Sequence, residues 1–159
     1  MRAMVLDHTG DVSHSPLHLR DRSVPVPQAG QVLVNIHVCG VCRTDLHVVE
    51  GELPNTSLPL IPGHQAVGTV TQAGGGVTDI HEGDRVGIAW LQETCGQCEF
   101  CTSGREHLCL EGTFTGYQVD GGYAEYAVVP ARFAYPIPSI FSDEEAAPLL
   151  CAGIIGYRA

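Results

Sequence analysis

Four cysteines lie close together in the middle of the sequence with the spacing C-x2-C-x2-C-x7-C: Cys95, Cys98, Cys101 and Cys109. Thiols three residues apart can converge on one point from a turn-rich loop, and four thiolates complete the tetrahedral shell that Zn²⁺ prefers. Such a shell leaves no position open for a reactant. The spacing therefore predicts a structural zinc site rather than a catalytic one.

The same four cysteines have three alternatives to zinc: disulfides, an iron–sulfur cluster and free thiols. Disulfides between thiols three residues apart would be crowded and would suit an oxidising compartment. A ferredoxin-type cluster begins with the same C-x2-C-x2-C but ends with C-x3-C-P, whereas here the last gap is seven and Leu110 follows. Zinc is favoured because this segment has few apolar residues, so metal binding would supply the folding free energy that a hydrophobic core otherwise gives.

Three further residues with metal-binding side chains are scattered along the chain: Cys42, His64 and Cys151. Taken singly, each is more often a packing or solvated residue than a ligand. Cys39 precedes Cys42 with the C-x-x-C spacing of redox motifs, but no βαβ pattern surrounds it, so we expect a buried thiol at the end of a strand. Assigning these three residues to a metal site therefore needs support from the sequence that surrounds them.

The elements that must position these residues are short strands. The 19 glycines and 10 prolines lie between short apolar stretches. Residues 31–38 have a strict period of two, which places the apolar residues 32, 34, 36 and 38 on one face and residues 33, 35 and 37 on the other. Strands are predicted at residues 3–7, 17–20, 31–38, 66–71, 85–90 and 123–129.

Helix signals are fewer. Residues 42–50 are compatible with a short helix, and Ser142 and Glu145 form a capping box that begins an alanine-rich helix. Pro148 is expected to end or kink that helix, and residues 149–159 are predicted to form a second, largely apolar one.

Charge and length exclude several classes of function. The chain has 159 residues, 18 acidic and 8 basic side chains, and a net charge of -10, which argues against nucleic acid or an anionic membrane as the main partner. No apolar run approaches the ~20 residues that span a bilayer, and the first residues do not resemble a signal peptide. We therefore expect a soluble, cytoplasmic protein of one domain.

Several motifs together resemble the zinc-dependent alcohol dehydrogenases of the medium-chain dehydrogenase/reductase family. Residues 39–47 (CGVCRTDLH) are similar to the catalytic-zinc segment of that family, residues 62–65 (PGHQ) to its second ligand segment, and residues 149–154 (LLCAGI) to its third. The four-cysteine loop is similar to its structural-zinc lobe, and GDRVG and GGYAEY also match. The resemblance covers essentially all of the chain.

The resemblance implies a mainly β fold: a GroES-like, partly open β-barrel with short helices and a zinc-binding lobe at residues 91–112. Residues 1–148 would form this catalytic domain, and residues 149–159 would begin the helix that leads to a dinucleotide-binding Rossmann domain. The sequence contains no G-x-G-x-x-G after a strand. We therefore expect the Rossmann domain to be absent, and the chain to be an isolated domain, a truncated product or one part of a split enzyme.

The resemblance also implies a second, catalytic zinc held by Cys42, His64 and Cys151 with one open position. The implied cofactors are thus two Zn²⁺ per chain and NAD or NADP. Zinc lowers the pKa of a bound water to about 7, and an alcohol would be activated in the same sense. Thr44 would relay the proton and His47 would pass it to solvent.

Four neighbouring residues complete the implied site. Asp45 would orient His64, and Arg43 would contact the pyrophosphate of the cofactor. Trp90 would line the alcohol pocket, with strand-end packing as its alternative. Gln65 stands where the family commonly has glutamate, so we expect weaker support for ligand exchange without loss of zinc. A Gln65→Glu variant with unchanged turnover in the full-length enzyme would contradict that expectation.

Two functions remain open at this point. The chain is either the catalytic domain of a zinc-dependent alcohol dehydrogenase, inactive without a Rossmann half, or a non-catalytic zinc-binding GroES-like module. A co-chaperone is a weaker third alternative, because the metal ligands would then have no purpose. The expected partners are a small alcohol or aldehyde, a Rossmann half in trans and further copies of the chain, but neither nucleic acid nor a membrane.

Overall fold

Nine short strands dominate the structure, a computed structural model that describes residues 1–159. The strands are β1 Arg2–Leu6, β2 Leu17–Asp21, β3 Gln31–Cys39, β4 Ala66–Ala73, β5 Arg85–Ile88, β6 Leu91–Glu93, β7 Thr113–Phe114, β8 Tyr126–Pro130 and β9 Ala134–Pro136. The helices are α1 Arg43–Glu50, α2 Glu99–Thr102, α3 Asp143–Pro148 and α4 Ile154–Arg158, with a π-helical turn at Leu149–Gly153 and 3₁₀ turns at Val12–His14, Glu106–Leu108 and Ala131–Phe133. The predicted mainly β class is confirmed. No helix is both long enough and apolar enough to cross a membrane.

A five-stranded antiparallel sheet with the order β8-β3-β4-β5-β9 is the central element. Every one of its strands contributes apolar side chains to the main core, including Val32 and Val34, which are fully buried as the alternation predicts. Leu33 between them is buried too, so both faces of β3 are covered there. The pairs β1-β2 and β6-β7 form separate two-stranded sheets.

Two predicted strands are shorter than expected, because their ends pair outside the sheet. Strand β8 begins at Tyr126 rather than at residue 123: the carbonyl of Tyr123 accepts a hydrogen bond from Met4 N (2.8 Å), and Ala124 bridges to β1. Strand β5 ends at Ile88 rather than at residue 90, because the carbonyl of Trp90 accepts from Thr115 N (2.8 Å).

The α-helix that begins at Asp143 ends at Pro148, as expected, but the chain continues in helical backbone of another kind. Helical backbone runs from Asp143 to Arg158, and Pro148 takes φ -66° and ψ -21°, which are helical values. Proline costs the helix a donor and crowds the preceding turn. The next five residues adopt a wider π-helical turn, a local change of register that occurs often at functional sites.

Candidate metal centres

The four clustered cysteines converge in a small lobe made of β6, α2, a 3₁₀ turn and β7, and their Sγ atoms all lie within 4.8 Å of one another. Cys98 and Cys101 are 3.5 Å apart at Sγ, and Cys95 and Cys109 are 3.6 Å apart. A tetrahedron of sulfur atoms about 2.3 Å from zinc has edges of about 3.8 Å. All seven cysteines are free thiols, so the lobe fits a tetrathiolate metal site and not a pair of disulfides.

Backbone polarity in the lobe favours the thiolate form. Backbone N–H groups of Gln97 and Cys98 lower the pKa of Cys95 to about 7, and Cys98 N donates to Cys95 Sγ at 3.4 Å. The guanidinium of Arg132 donates to the carbonyl of Thr94, just before the first cysteine. The lobe is thereby tied to the corner between β8 and β9.

The three scattered residues also come together. The Sγ atoms of Cys42 and Cys151 and a ring nitrogen of His64 lie within 4.8 Å of one another, and His64 Nε2 is 3.3 Å from Cys42 Sγ. Cys42 precedes α1, His64 lies two residues before β4, and Cys151 is in the centre of the π-helical turn. Three segments distant in sequence thus supply two sulfur donors and one nitrogen donor, a set that suits zinc.

Cys42 is held by the start of helix α1. Its thiol accepts a hydrogen bond from Thr44 N at 3.3 Å, and its own backbone N–H donates to Asp45 Oδ2 at 2.9 Å. This is a capping box in which a cysteine takes the place of the usual serine or threonine. The hydrogen bonds that begin the helix therefore also fix the sulfur atom.

Asp45 also orients the histidine. Its other oxygen, Oδ1, is 2.9 Å from His64 Nδ1, and both side chains are almost completely buried. A carboxylate at Nδ1 holds the proton on that nitrogen and leaves Nε2 free as an electron-pair donor, as is usual behind metal-bound imidazoles. The imidazole is therefore oriented as a ligand.

Burial raises the pKa of the thiols near this site, whereas a bound cation would lower it. Burial first, and then the neighbouring Cys42 and Asp45, raises the pKa of Cys151 to about 11. Burial likewise raises the pKa of Cys39 to about 12; this residue ends β3 as predicted and is not in the donor cluster. A divalent cation among the three donors would compensate the charge of the two thiolates, and the donor set therefore fits a metal ion.

The expected relay residues lie on helix α1 beside the donors. Thr44 and His47 are half-buried, and His47 Nδ1 contacts the carboxylate of Glu52. Arg43 is exposed at the start of the helix. Gln65 is buried to 2% exposure, with its side chain against the backbone at Gly40.

An aromatic wall stands next to the histidine. The ring of Trp90 meets His64 edge to face, with centroids 5.0 Å apart, and stacks on Phe114 at 5.1 Å and Tyr117 at 5.8 Å. Phe114 and Tyr117 belong to no motif noticed in the sequence, and neither does Glu52. The clustering of aromatic residues at 114 and 117 soon after the four-cysteine loop is the one signal that could have indicated the first two.

Comparisons with known proteins agree with this geometry. The family model described as "Alcohol dehydrogenase GroES-like domain" matches residues 28–139. A probable alcohol dehydrogenase, AdhA, of Mycobacterium tuberculosis is 50% identical over 164 residues, which cover 100% of this chain and 47% of that protein. An alcohol dehydrogenase of Geobacillus stearothermophilus is 50% identical over 145 residues, which cover 91% of this chain and 43% of that protein.

Solved structures show the same fold. A cobalt- and zinc-bound thermostable alcohol dehydrogenase from Pyrobaculum aerophilum matches with a TM-score of 0.87 and 36% identity, over 100% of this chain and 48% of that one. The expected GroES-like fold is thereby confirmed. The chain spans about half the length of the curated relatives it matches.

Proposed function

The chain belongs to the alcohol dehydrogenase GroES-like domain family, and we propose that it is the metal-binding, catalytic part of a zinc-dependent alcohol dehydrogenase. The reaction would be hydride transfer between a small alcohol, aldehyde or ketone and NAD or NADP. The observation that carries the proposal is the convergence of Cys42, His64 and Cys151, with Asp45 behind the histidine. A structural zinc site has four protein donors, whereas three donors leave one coordination position open for a reactant.

Each zinc has its own set of residues in this proposal. The four cysteines of the lobe at residues 91–112 would hold a structural zinc within a catalytic domain at residues 1–148. Cys42, His64 and Cys151 would hold the second, and a zinc with an open position there supplies a Lewis acid to the reaction. Residues 149–159 would lead towards the nucleotide-binding half.

The hydroxyl of Thr44 would accept the proton of the alcohol and hand on its own, since a hydroxyl both accepts and donates. His47 lies three residues further along α1, on the same side of the helix. Its Nδ1 is engaged by Glu52, so Nε2 is the nitrogen left to receive the proton. About a third of the His47 side chain is exposed to solvent, which gives the proton its exit.

The two remaining residues would line the substrate pocket, from which they exclude water, and bind the cofactor. Trp90, whose ring stacks on Phe114, gives the reacting alcohol an apolar wall beside His64. Water is disfavoured along such a surface, which strengthens the electrostatic effects of the site. Arg43 presents an exposed fork of N–H donors suited to the pyrophosphate of NAD or NADP bound by a Rossmann half.

Metal analysis and nicotinamide absorbance test this proposal together. We expect the purified chain to contain two zinc ions, a Cys151→Ala variant to contain one, and a Cys109→Ala variant to lose the other. The chain alone should not reduce NAD or NADP when an alcohol is added, whereas the chain supplied with a Rossmann half should do so. Fewer than two zinc ions in the parent chain would contradict the two-site assignment.

The same experiment separates the alternative function. A non-catalytic zinc-binding module would retain both metals and yet turn nothing over in the presence of the Rossmann half. Turnover by the isolated chain would instead show that the second half is not required.

A further inference from the structure

Asp143, the first residue of helix α3, bridges two strands of the central sheet. Its Oδ2 atom is 2.8 Å from His37 Nδ1 in β3, and its Oδ1 atom accepts a hydrogen bond from Arg85 Nε in β5 at 2.6 Å. Strand β4 lies between those two strands. One carboxylate thus reaches across β4 and attaches the helix to the strands on either side of it.

These strands carry the first two donors of the three-residue site. Strand β3 ends at Cys39, three residues before Cys42, and β4 begins at Ala66, two residues after His64. Arg85 is itself paired with Thr69 of β4. The groups that bind Asp143 are therefore parts of the framework that places Cys42 and His64.

The third donor depends on how α3 sits on that framework. The helix continues without interruption into the π-helical turn that contains Cys151. Its buried contact is made by Ala146 and Ala147 against Val67, and such small apolar surfaces are attractive without being directional. Contacts of this kind hold the helix against the sheet but do not fix its position along the sheet.

Directional contacts are supplied by Asp143 alone. No other side chain between residues 143 and 159 makes a hydrogen bond or an ion pair with the sheet. Beyond Cys151 the chain is mostly exposed, including Ile154, Ile155 and Tyr157. Charge-assisted hydrogen bonds are the stronger and more specific class, so this carboxylate is the feature that can fix the position of the helix.

We propose that Asp143 is a positioning residue for the three-residue metal site: its bonds to His37 and Arg85 set the place of Cys151 relative to Cys42 and His64. This inference rests on the proposed metal site and deepens it. Loss of the carboxylate would let α3 shift, and the Cys151 thiolate would then move away from its place beside the other two donors. The four-cysteine lobe has no contact with Asp143, so its metal affinity should not change.

The test uses the metal-free chain, titrated with Co²⁺ in competition with a chromophoric chelator, for the parent and for Asp143→Asn. Asparagine preserves the shape but not the charge. We expect Asp143→Asn to weaken affinity at the three-residue site by about tenfold, the effect typical of residues that support ligands from behind. The thiolate-to-cobalt absorption of that site should fall, while the affinity of the four-cysteine site stays the same.

Glu144→Gln is the matched control, because it removes one negative charge from the same turn of the helix, at an exposed residue without an ion pair. It should leave both affinities within twofold. Equal affinities and equal absorption in the parent and Asp143→Asn would overturn the inference, as would equal weakening at both sites. A parent chain that binds no metal at the three-residue site would instead refute the proposed function.

A milder variant covers the case in which Asp143→Asn does not fold. His37→Gln alters only one of the two bonds, on a partly exposed side chain, and should weaken the three-residue site about threefold with no change at the other. Unchanged affinity in a folded His37→Gln chain would then overturn the inference. Far-ultraviolet circular dichroism shows whether each variant is folded, and the affinities of a folded variant are the ones that test the inference.

Discussion

Asp45 shows how one residue joins local and long-range structure. One of its oxygens completes the capping box of helix α1, and the other holds His64, which lies 19 residues away in sequence. The local hydrogen bond at the helix start positions the carboxylate, and the carboxylate then positions the histidine. A motif that reads as a simple helix cap thus fixes two of the three donors of the site.

Thr94 has a buried hydroxyl with no hydrogen-bond partner. A buried, unpaired polar group costs about 1–3 kcal/mol, and valine has nearly the same shape. We therefore expect Thr94→Val to raise the free energy of unfolding of the metal-loaded chain by about 1 kcal/mol, measured by urea denaturation. Thr78→Val is the control, because Thr78 is exposed and its hydroxyl donates only to the neighbouring Asp79, at 3.1 Å, so that its loss should change stability little. A destabilised Thr94→Val chain would show that the hydroxyl is paired in solution.

Asp143 should make stability depend on pH in the acid range. Burial alone would raise the pKa of this carboxyl, but hydrogen bonds from His37 and Arg85, together with their charges, lower it below its usual value. A group whose pKa is lower in the folded state stabilises the fold above its unfolded pKa, about 4 for aspartate, and loses that contribution as the pH falls through the folded value. The stability gap between the parent and Asp143→Asn should therefore be widest near neutral pH and close as the pH drops below about 4.

Urea denaturation at a series of pH values measures that gap. Glu144→Gln, a change of the same charge without the ion pairs, should follow the parent curve throughout. A gap between the parent and Asp143→Asn that stays constant down to the lowest pH would mean that the charge of the carboxylate does not contribute.

At the scale of elements, the turn before β4 depends on a close approach that only glycine permits. Gly63 has φ +96°, and a Cβ atom there would lie 2.5 Å from Tyr123 Cδ1. Gly83 has nearly the same φ, +93°, but open space around it. The two residues therefore separate the cost of the backbone conformation from the cost of the contact.

We expect Gly83→Ala to lower the free energy of unfolding by about 1–3 kcal/mol, the usual cost of the left-handed conformation. Gly63→Ala should lose about 1–3 kcal/mol more, because the aromatic ring must move, and it should also disturb the adjacent His64. Thermal or urea unfolding of the two variants measures the difference. Equal losses would show that the loop carrying Tyr123 yields without cost.

The sequence predicted those elements whose signals are local. The capping box of Ser142 and Glu145 is confirmed at the start of α3. All six predicted strands are present, two of them shortened, whereas the short strands β6, β7 and β9 were not predicted. The spacing of four cysteines and the ligand segments likewise identified the residues that converge. In each case the signal lies in short stretches of sequence; the longest is the four-cysteine spacing, from Cys95 to Cys109.

What the sequence could not reveal are contacts between residues far apart. His37 and Asp143 are 106 residues apart, and neither periodicity nor capping indicates that a strand histidine will meet a helix carboxylate. The pairing of Tyr123 with β1 depended on tertiary hydrogen bonds that outweigh strand propensity. Pro148 ends α3 as expected, but no local signal indicated that the backbone would continue in a wider π-helical turn.

At the scale of the whole molecule, the surface is divided between charge and apolar area. The net charge of -10 disfavours self-association. Self-association is favoured, in contrast, by a cleft of about 760 Å³ between Trp90 and the C-terminal helical segment, which is lined mainly by apolar side chains. Leu149, Ile154 and Ile155 on this wall are 44%, 54% and 65% exposed, and a contiguous apolar surface of this kind usually marks an interaction site.

We expect the chain to self-associate through this cleft at high concentration, and more strongly as salt screens the repulsion between negative charges. Combined Ile154→Gln and Ile155→Gln substitutions should shift the chain towards monomer, as measured by light scattering over a range of concentration and ionic strength. Val26→Gln is the control, because Val26 is equally apolar and 74% exposed but lies outside the cleft. The salt dependence identifies the force involved: apolar contact opposed by charge gives association that grows with ionic strength, whereas association through ion pairs would weaken. A chain that is monomeric under all conditions would show that charge repulsion outweighs the apolar area of the cleft.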